Sequence, residues 1–176
     1  MKVTLFMATT PNGIIARENY EEDFLSEENW KTFCNLLKES GCLIWGRVTY
    51  EKVMSWGDKY VKDLDGTNII VVSSNTKLKL KSGTYIESSP SKAIMKAKLL
   101  GFNNVILSGG GKINSEFMKT ELIDEIILNI EPIVLGKGIK LFTEADFETK
   151  LKLIDTKKIT SNIIQLRYKV SKKPNK

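Results

Sequence analysis

The chain has 176 residues, 41% hydrophobic and 27% charged, which suits a globular domain with a sizeable core and excludes a disordered polyelectrolyte. It has no histidine and two cysteines, Cys34 and Cys42. That removes histidine triads, histidine general acids and ordinary zinc sites, and reads both thiols as reduced core residues. The net charge of +6 comes from lysines spread along the sequence. Without aromatics interleaved in a basic cluster, it predicts a solvated surface and a field favourable to a polyanionic small ligand, with no nucleic-acid partner.

Residues 3–9 read as a buried strand, and Pro11, Asn12 and Gly13 as a turn. The N-terminal apolar run is too short for a signal peptide, and no segment approaches transmembrane length. The expectation is a cytoplasmic protein with no membrane partner. Residues 14–25 are polar and irregular, long enough for a functional loop. Ser26 is a plausible N-cap, with Glu27 and Glu28 in a first turn where the helix dipole favours acids. Trp30, Phe33, Cys34 and Leu37 then recur at helical spacing, and Gly41 stops the helix.

Residues 42–45 form a short predicted strand leading into Gly46. A helix begins near Thr49 and ends about Trp56 and Gly57, and residues 58–66 read as a polar connection. Residues 68–73 (N-I-I-V-V-S) are a β-branched run, a central strand. Tyr85 and Ile86 suggest another, short one. Ser89 and Pro90 open a helix whose apolar face is Ala93, Ile94, Ala97 and Leu100, stopped by Gly101. Residues 104–107 are a strand, residues 113–119 a helix, and residues 125–130 a strand closed by Pro132. Residues 134–142 read as a glycine-containing loop. Residues 151–155 and 163–170 read as late strands able to pair antiparallel. The alternation predicts a mostly parallel α/β sheet with flanking helices and an antiparallel C-terminal edge. The expected organisation is one domain over residues 1–171 and a disordered basic tail over 172–176.

The chemistry concentrates where strands end. Ser108-Gly109-Gly110-Gly111-Lys112 joins a strand to a helix, and ordering three glycines costs roughly 0.5–1 kcal/mol each relative to alanine. Glycines there allow close approach of a ligand, and a helix N-terminus offers N–H groups to an anion. The spacing is neither that of a Rossmann fingerprint nor that of a Walker loop. A tight turn with spare glycines is the bland alternative. Gly46-Arg47-Val48-Thr49 repeats the geometry, with Arg47 able to fork onto a phosphate. Ser73 and Ser74, with Lys77 close behind, suit a phosphate monoester. Together these three strand ends predict a dinucleotide site.

The motifs M-A-T-T-P-N-G-I-I-A (7–16), S-E-E-N-W-K-T-F (26–33), W-G-R-V-T-Y-E (45–51), V-V-S-S (71–74), L-S-G-G-G-K-I (107–113) and I-D-E-I-I-L-N-I-E-P-I-V-L-G-K-G (123–138) come in a recognisable order. The chain resembles the dihydrofolate reductase fold superfamily, and within it the C-terminal reductase domain of the riboflavin-biosynthesis deaminase–reductase and its stand-alone relatives. The resemblance implies NADPH as cofactor. Gly46, Arg47 and Thr49 would face its phosphates. Ser73, Ser74 and Lys77 would hold the ribose 2′-phosphate, and Ser108 through Lys112 and Ile113 would cradle the pyrophosphate. Ala8 and Ile15 would line the nicotinamide. It also implies a homodimer.

Two departures bear on substrate. Folate reductases place a carboxylate near the start of the first helix, where this chain has Asn29, a poor proton donor. The riboflavin-type reductases have an acid where Asn12 stands and an Asp/Pro-rich stretch that is missing after Thr49. Asn29, Trp30 and Phe33 remain the candidate substrate contacts, the two aromatics serving equally well as core. The expected activity is hydride transfer from NADPH to a small heterocycle. A ribosylamino-pyrimidine phosphate of the riboflavin pathway leads and a dihydropterin follows, with a proton taken from water. A non-catalytic NADP(H)-binding module is the competing expectation.

Overall fold

A computed structural model of the chain describes residues 1–75 and 77–172. In chain order the elements are β1 (Lys2–Thr9), β2 (Ile14–Ala16), α1 (Glu27–Ser40), β3 (Cys42–Gly46), α2 (Arg47–Met54), α3 (Asp58–Asp63), β4 (Asn68–Val72) and β5 (Thr84–Glu87), followed by α4 (Pro90–Leu99), β6 (Asn104–Leu107), α5 (Gly111–Lys119), β7 (Glu125–Ile130), β8 (Ile139–Lys140), β9 (Leu151–Lys158) and β10 (Ile164–Val170). The main sheet runs β5-β4-β3-β6-β1-β7-β10-β9. From β5 to β7 in that order every pairing is parallel, and β10 is antiparallel to both β7 and β9. This is the parallel sheet with an antiparallel edge that the alternation predicts.

Successive residues of a strand face opposite sides of the sheet, and both sides here are covered. Leu5, Met7, Ile44, Ile70 and Leu107 pack with Ala93 and Ala97 of α4 and Ile113 and Phe117 of α5. Phe6, Leu43, Trp45, Ile69 and Val71 pack with Phe33 and Leu37 of α1 and Tyr50 and Val53 of α2. The alternation Leu43/Ile44/Trp45 thus sends neighbours into different layers, as a doubly covered parallel sheet requires. Burial pushes the Cys34 thiol up to about 11 and the Cys42 thiol up to about 12, so both stay protonated thiols near neutral pH. At the antiparallel edge, burial alone would raise the Glu125 carboxyl. Hydrogen bonds from Arg167 (2.6 Å) and Lys2 (2.9 Å) outweigh that and hold it below its ordinary value.

Several boundaries differ from the sequence reading. Gly41 ends α1 in the left-handed region, its N–H donating to the Leu37 carbonyl, and Ser89 caps α4 as expected. Helix α2 starts at Arg47, so Thr49 lies inside the first turn, and it ends at Met54. Helix α5 starts inside the glycine triplet, with Gly110 as N-cap. The polar connection contains α3, which buries no residue and so carries no apolar period to read. The two expected loops, 14–25 and 134–142, contain β2 and β8, which pair with each other. Lys172 forms an ion pair with Asp124 at 2.5 Å; the rest of the expected tail, residues 173–176, lies outside the described residues.

The β8 segment straps the start of α5. Asn114 donates to the Leu141 carbonyl and Ser115 to the Thr143 carbonyl, each at 2.9 Å, and a Cβ on Gly111 would overlap the Lys140 carbonyl oxygen. Gly111→Ala is therefore expected to destabilise the fold by about 1–3 kcal/mol. Gly136→Ala, where nothing stands within 4 Å, is expected to change stability little. Urea unfolding of both variants checks this.

Candidate active site

Parallel strands end on a common edge, and the segments leaving β3, β4 and β6 open there into one cavity of about 1120 Å³. That exceeds the roughly 300–1,000 Å³ of a single small-molecule site. Two backbone hydrogen bonds carry the β3–β6 ladder past the strand ends: Ser108 N–H to the Ile44 carbonyl (3.1 Å) and Gly46 N–H to the Gly109 carbonyl (2.8 Å). They set the N-termini of α2 and α5 side by side. Gly46 and Gly110 are the N-caps, and neither helix start receives a side-chain capping bond. The first N–H groups of both helices thus stay available, at the positive end of each dipole. The Gly109–Gly110 peptide bond is cis. The Thr49 hydroxyl stands against this pair, 3.4 Å from where a Gly110 Cβ would be.

The cavity gathers most of the residues singled out in the sequence. Ala8, Ile15, Asn29, Trp30, Phe33, Gly46, Arg47, Thr49, Ser73, Ser74 and the whole Ser108–Ile113 stretch line it. Lys77 is exposed and is not among the lining residues; its N–H donates to Asn75 Oδ1 at 2.9 Å. Arg47 forms a 2.6 Å pair with Glu51 one turn on, which leaves Lys112, free of ion pairs among the described residues, as the unpaired cation of the glycine turn. Ser88 also lines the cavity, and the sequence reading did not select it.

Another part of the lining is aromatic. Trp30, Trp56 and Tyr60 meet edge-on at 5.0–6.0 Å between centroids, and Trp30 Nε1 donates to Asp63 at 2.8 Å. Phe33 stacks between Phe6 and Trp45, so it is core and lining together.

Asn29 is buried and its amide is engaged inside the protein. Nδ2 donates to Glu131 Oε1 and to Ser26 Oγ, and Oδ1 accepts from Asn129 (2.6 Å), which in turn accepts from Gln165 (2.9 Å). Ser26 sits at the N-cap position, yet its hydroxyl makes no capping bond; its N–H donates to Glu131 at 2.8 Å. The carboxylate absent from position 29 is thus present one layer deeper, on Glu131, which is 3% exposed. Its only sequence signal was the acid ahead of Pro132, and pairing it with Asn29 needs the fold.

A second acid lies in the cavity itself. Burial pushes the Glu22 carboxyl up to about 7, partly offset by the Lys52 ammonium and reinforced by neighbouring Glu21. In the sequence it is hidden in an acidic run of a polar loop.

The family pattern for the RibD C-terminal domain matches residues 1–165. The chain belongs to this family. It is a reductase-like family of riboflavin biosynthesis with a dihydrofolate reductase-like fold, as the motif order implied. The uncharacterized protein YwjB of Bacillus subtilis (strain 168) is 31% identical over 170 residues, covering 95% of this chain and 97% of that one. Among solved structures, the "Putative riboflavin biosynthesis protein" from Shewanella sp. PV-4 superposes with a TM-score of 0.81 at 25% identity, covering 98% of this chain and all of the other. The Thermotoga maritima diaminohydroxyphosphoribosylaminopyrimidine deaminase/5-amino-6-(5-phosphoribosylamino)uracil reductase superposes at 0.73 with 15% identity. There this chain covers 56% of the partner, a likeness of fold to part of a longer protein.

Replacing Asn29 tests the buried network. Asn29→Ala removes the amide donors from Glu131 and is expected to cost about 1–3 kcal/mol. Asn29→Asp sets a second carboxylate against it and is expected to cost about 3 kcal/mol or more near neutral pH. Protonating one of the two acids relieves the repulsion, so the Asp variant recovers more stability as pH falls than the Ala variant, which has only a lost donor to relieve. Urea unfolding at pH 7.5 and 5 reads the difference.

Proposed function

We propose that the chain is an NADPH-dependent reductase that delivers hydride to a C=N or C=O carbon of a small heterocycle. The leading substrate is a ribosylamino-pyrimidine phosphate of riboflavin biosynthesis, and a dihydropterin stands second. The observation that carries this is the pair of helix N-termini, α2 and α5, tied side by side by the Gly46–Gly109 hydrogen bond and left without side-chain caps in one cavity. Such a pair of starts fits a pyrophosphate. The family and its reductase relatives support the same reading.

When bound, NADPH supplies the hydride from its nicotinamide ring. The chain's own residues do the rest. The glycine turn, the Thr49 hydroxyl and Lys112 hold the pyrophosphate. Ser73 and Ser74, at the end of β4, offer hydroxyls to a 2′-phosphate, which favours NADPH over NADH. Ala8 and Ile15, both buried and apolar, provide a dry floor for the nicotinamide. Trp30, Trp56 and Tyr60 give the flat substrate a face to lie on and keep water from the transfer. A cavity larger than one small ligand needs has room for both molecules.

The proposal extends to a homodimer that would form through the β9 edge. Every residue of β9 is exposed, Leu151, Leu153 and Ile154 among them, and its outer backbone groups form an open sheet edge. Light scattering is expected to give twice the 19.9 kDa chain mass; a monomer at tens of micromolar would remove this part.

Titration with each nucleotide, followed by tryptophan fluorescence, tests the cofactor. NADPH is expected to quench saturably and at least tenfold more tightly than NADH, with Ser74→Ala narrowing the gap. Absence of binding to either nucleotide by folded protein would end the reductase reading. Binding without oxidation of NADPH across pyrimidine ribosyl phosphates and pterins would leave a cofactor-binding module instead.

A further inference from the structure

Four carboxylates reach the cavity from residues 21–27: Glu21, Glu22, Asp23 and Glu27. Three are committed to cations. Glu21 pairs with Lys52 and Asp23 with Arg17, each at 2.6 Å, and Glu27 with Lys59 at 3.3 Å. Glu22 alone has neither an ion pair nor a side-chain hydrogen bond among the described residues, and it is better sheltered from solvent than Asp23 or Glu27.

Its position matters as much as its freedom. The charged groups facing it are Lys52 from α2 and Glu21 on its own loop. Lys52 follows Thr49 by three residues and shares its side of the helix, and Thr49 stands against the glycine turn. Trp30 and Phe33 line the same space from α1. Glu131 lies behind Asn29 and outside the cavity lining, so it cannot touch a substrate, and the Asn29 amide is already engaged. Glu22 is thus an uncommitted, half-buried carboxyl of the lining; Glu116, the other unpaired acid there among the described residues, stands on α5, the helix that starts at the glycine turn, and not on the loop that leads into the aromatic helix α1.

We propose that Glu22 is the proton donor of the reduction and selects substrates with a basic imine or ring nitrogen at the carbon that accepts hydride. This rests on the reductase reading above. Hydride adds to the carbon of C=N and its π bond breaks, the electron pair moving to nitrogen. The Glu22 hydroxyl gives its proton to that nitrogen, leaving an amine, an oxidised nicotinamide and a Glu22 carboxylate, which solvent water at the cavity mouth reprotonates. A carboxyl held at about 7 carries its proton in a large fraction of molecules near neutral pH, as a general acid requires. The proton thus comes from the protein, where the sequence reading looked to water.

The test compares wild type with Glu22→Gln in steady-state NADPH oxidation on the ribosylamino-pyrimidine phosphate from pH 5.5 to 9, alongside NADPH binding by fluorescence. Wild-type kcat is expected to fall through one ionisation near 7. Glu22→Gln is expected to lose at least about 100-fold in kcat and the ionisation with it, with NADPH affinity unchanged. An equal kcat with the same falling limb would overturn the proposal while leaving the reductase intact, and equal loss of NADPH binding would overturn it as a merely structural effect. Wild type that neither binds nor oxidises NADPH would remove the reductase reading and the proposal with it. Thermal melts give a readout free of substrate. A folded carboxyl raised from 4.5 to about 7 makes the fold lose stability as pH rises through that window, being unpenalised below and fully penalised above. The glutamine lacks this penalty. Its Tm relative to wild type should therefore climb between pH 4.5 and 7 and then level; a flat difference would overturn the assignment.

Discussion

The hydrogen bond from the Gly46 N–H to the Gly109 carbonyl lies just past the last paired residues of β3 and β6. It extends a parallel ladder by one step and fixes where two helices begin. Each start contributes roughly half a positive elementary charge, so two side by side equal about one cation built from backbone alone. Side-chain charge adds less than the sequence suggests, because the Arg47 guanidinium is already paired with Glu51. The Gly46 site is tight: a Cβ there would sit 3.4 Å from Ile113 and 3.6 Å from the Gly109 oxygen. The packing of α5 on the sheet and the aim of its N-terminus are therefore set by the same few atoms.

The parallel part of the sheet was legible because its central strands are short continuous apolar runs. Leu43, Ile44 and Trp45 announce a strand buried on both faces, and β4 is a run of β-branched residues. Helix ends were legible where capping chemistry is local, as at Gly41 and Ser89. What escaped depends on partners distant in sequence. β2 and β8 are too short to show a period and exist because Ile14 meets Lys140 across the fold. Helix α3 buries none of its residues and so had no apolar stripe to betray it.

The glycine triplet shows the limit most clearly. Sequence could say that something approaches the backbone closely, but not what. At Gly111 it is the chain itself, the Lys140 carbonyl of the β8 strap. At Gly109 and Gly110 the neighbours are Met7 and the Thr49 hydroxyl, and there the N-terminus of α5 opens to the cavity. One glycine thus serves the fold and two shape the turn. Asn29 was visible as a departure from a familiar pattern, whereas its partner Glu131 lies 102 residues away and only packing unites them.

The glycine turn and the aromatic wall of the cavity are built by different means, and this bears on how one can vary without loss of the other. The paired helix starts consist of backbone, fixed by a ladder in the middle of the sheet. The aromatic wall consists of side chains on peripheral elements. Helix α3 stabilises little by its own burial, yet Asp63 anchors the Trp30 indole and Tyr60 completes the edge-on cluster with Trp30 and Trp56. Its constraint on the protein is therefore one of shape. Substitutions in α3, or in the acidic loop before α1, change the lining at the aromatic wall while leaving the core layers and the paired helix starts untouched.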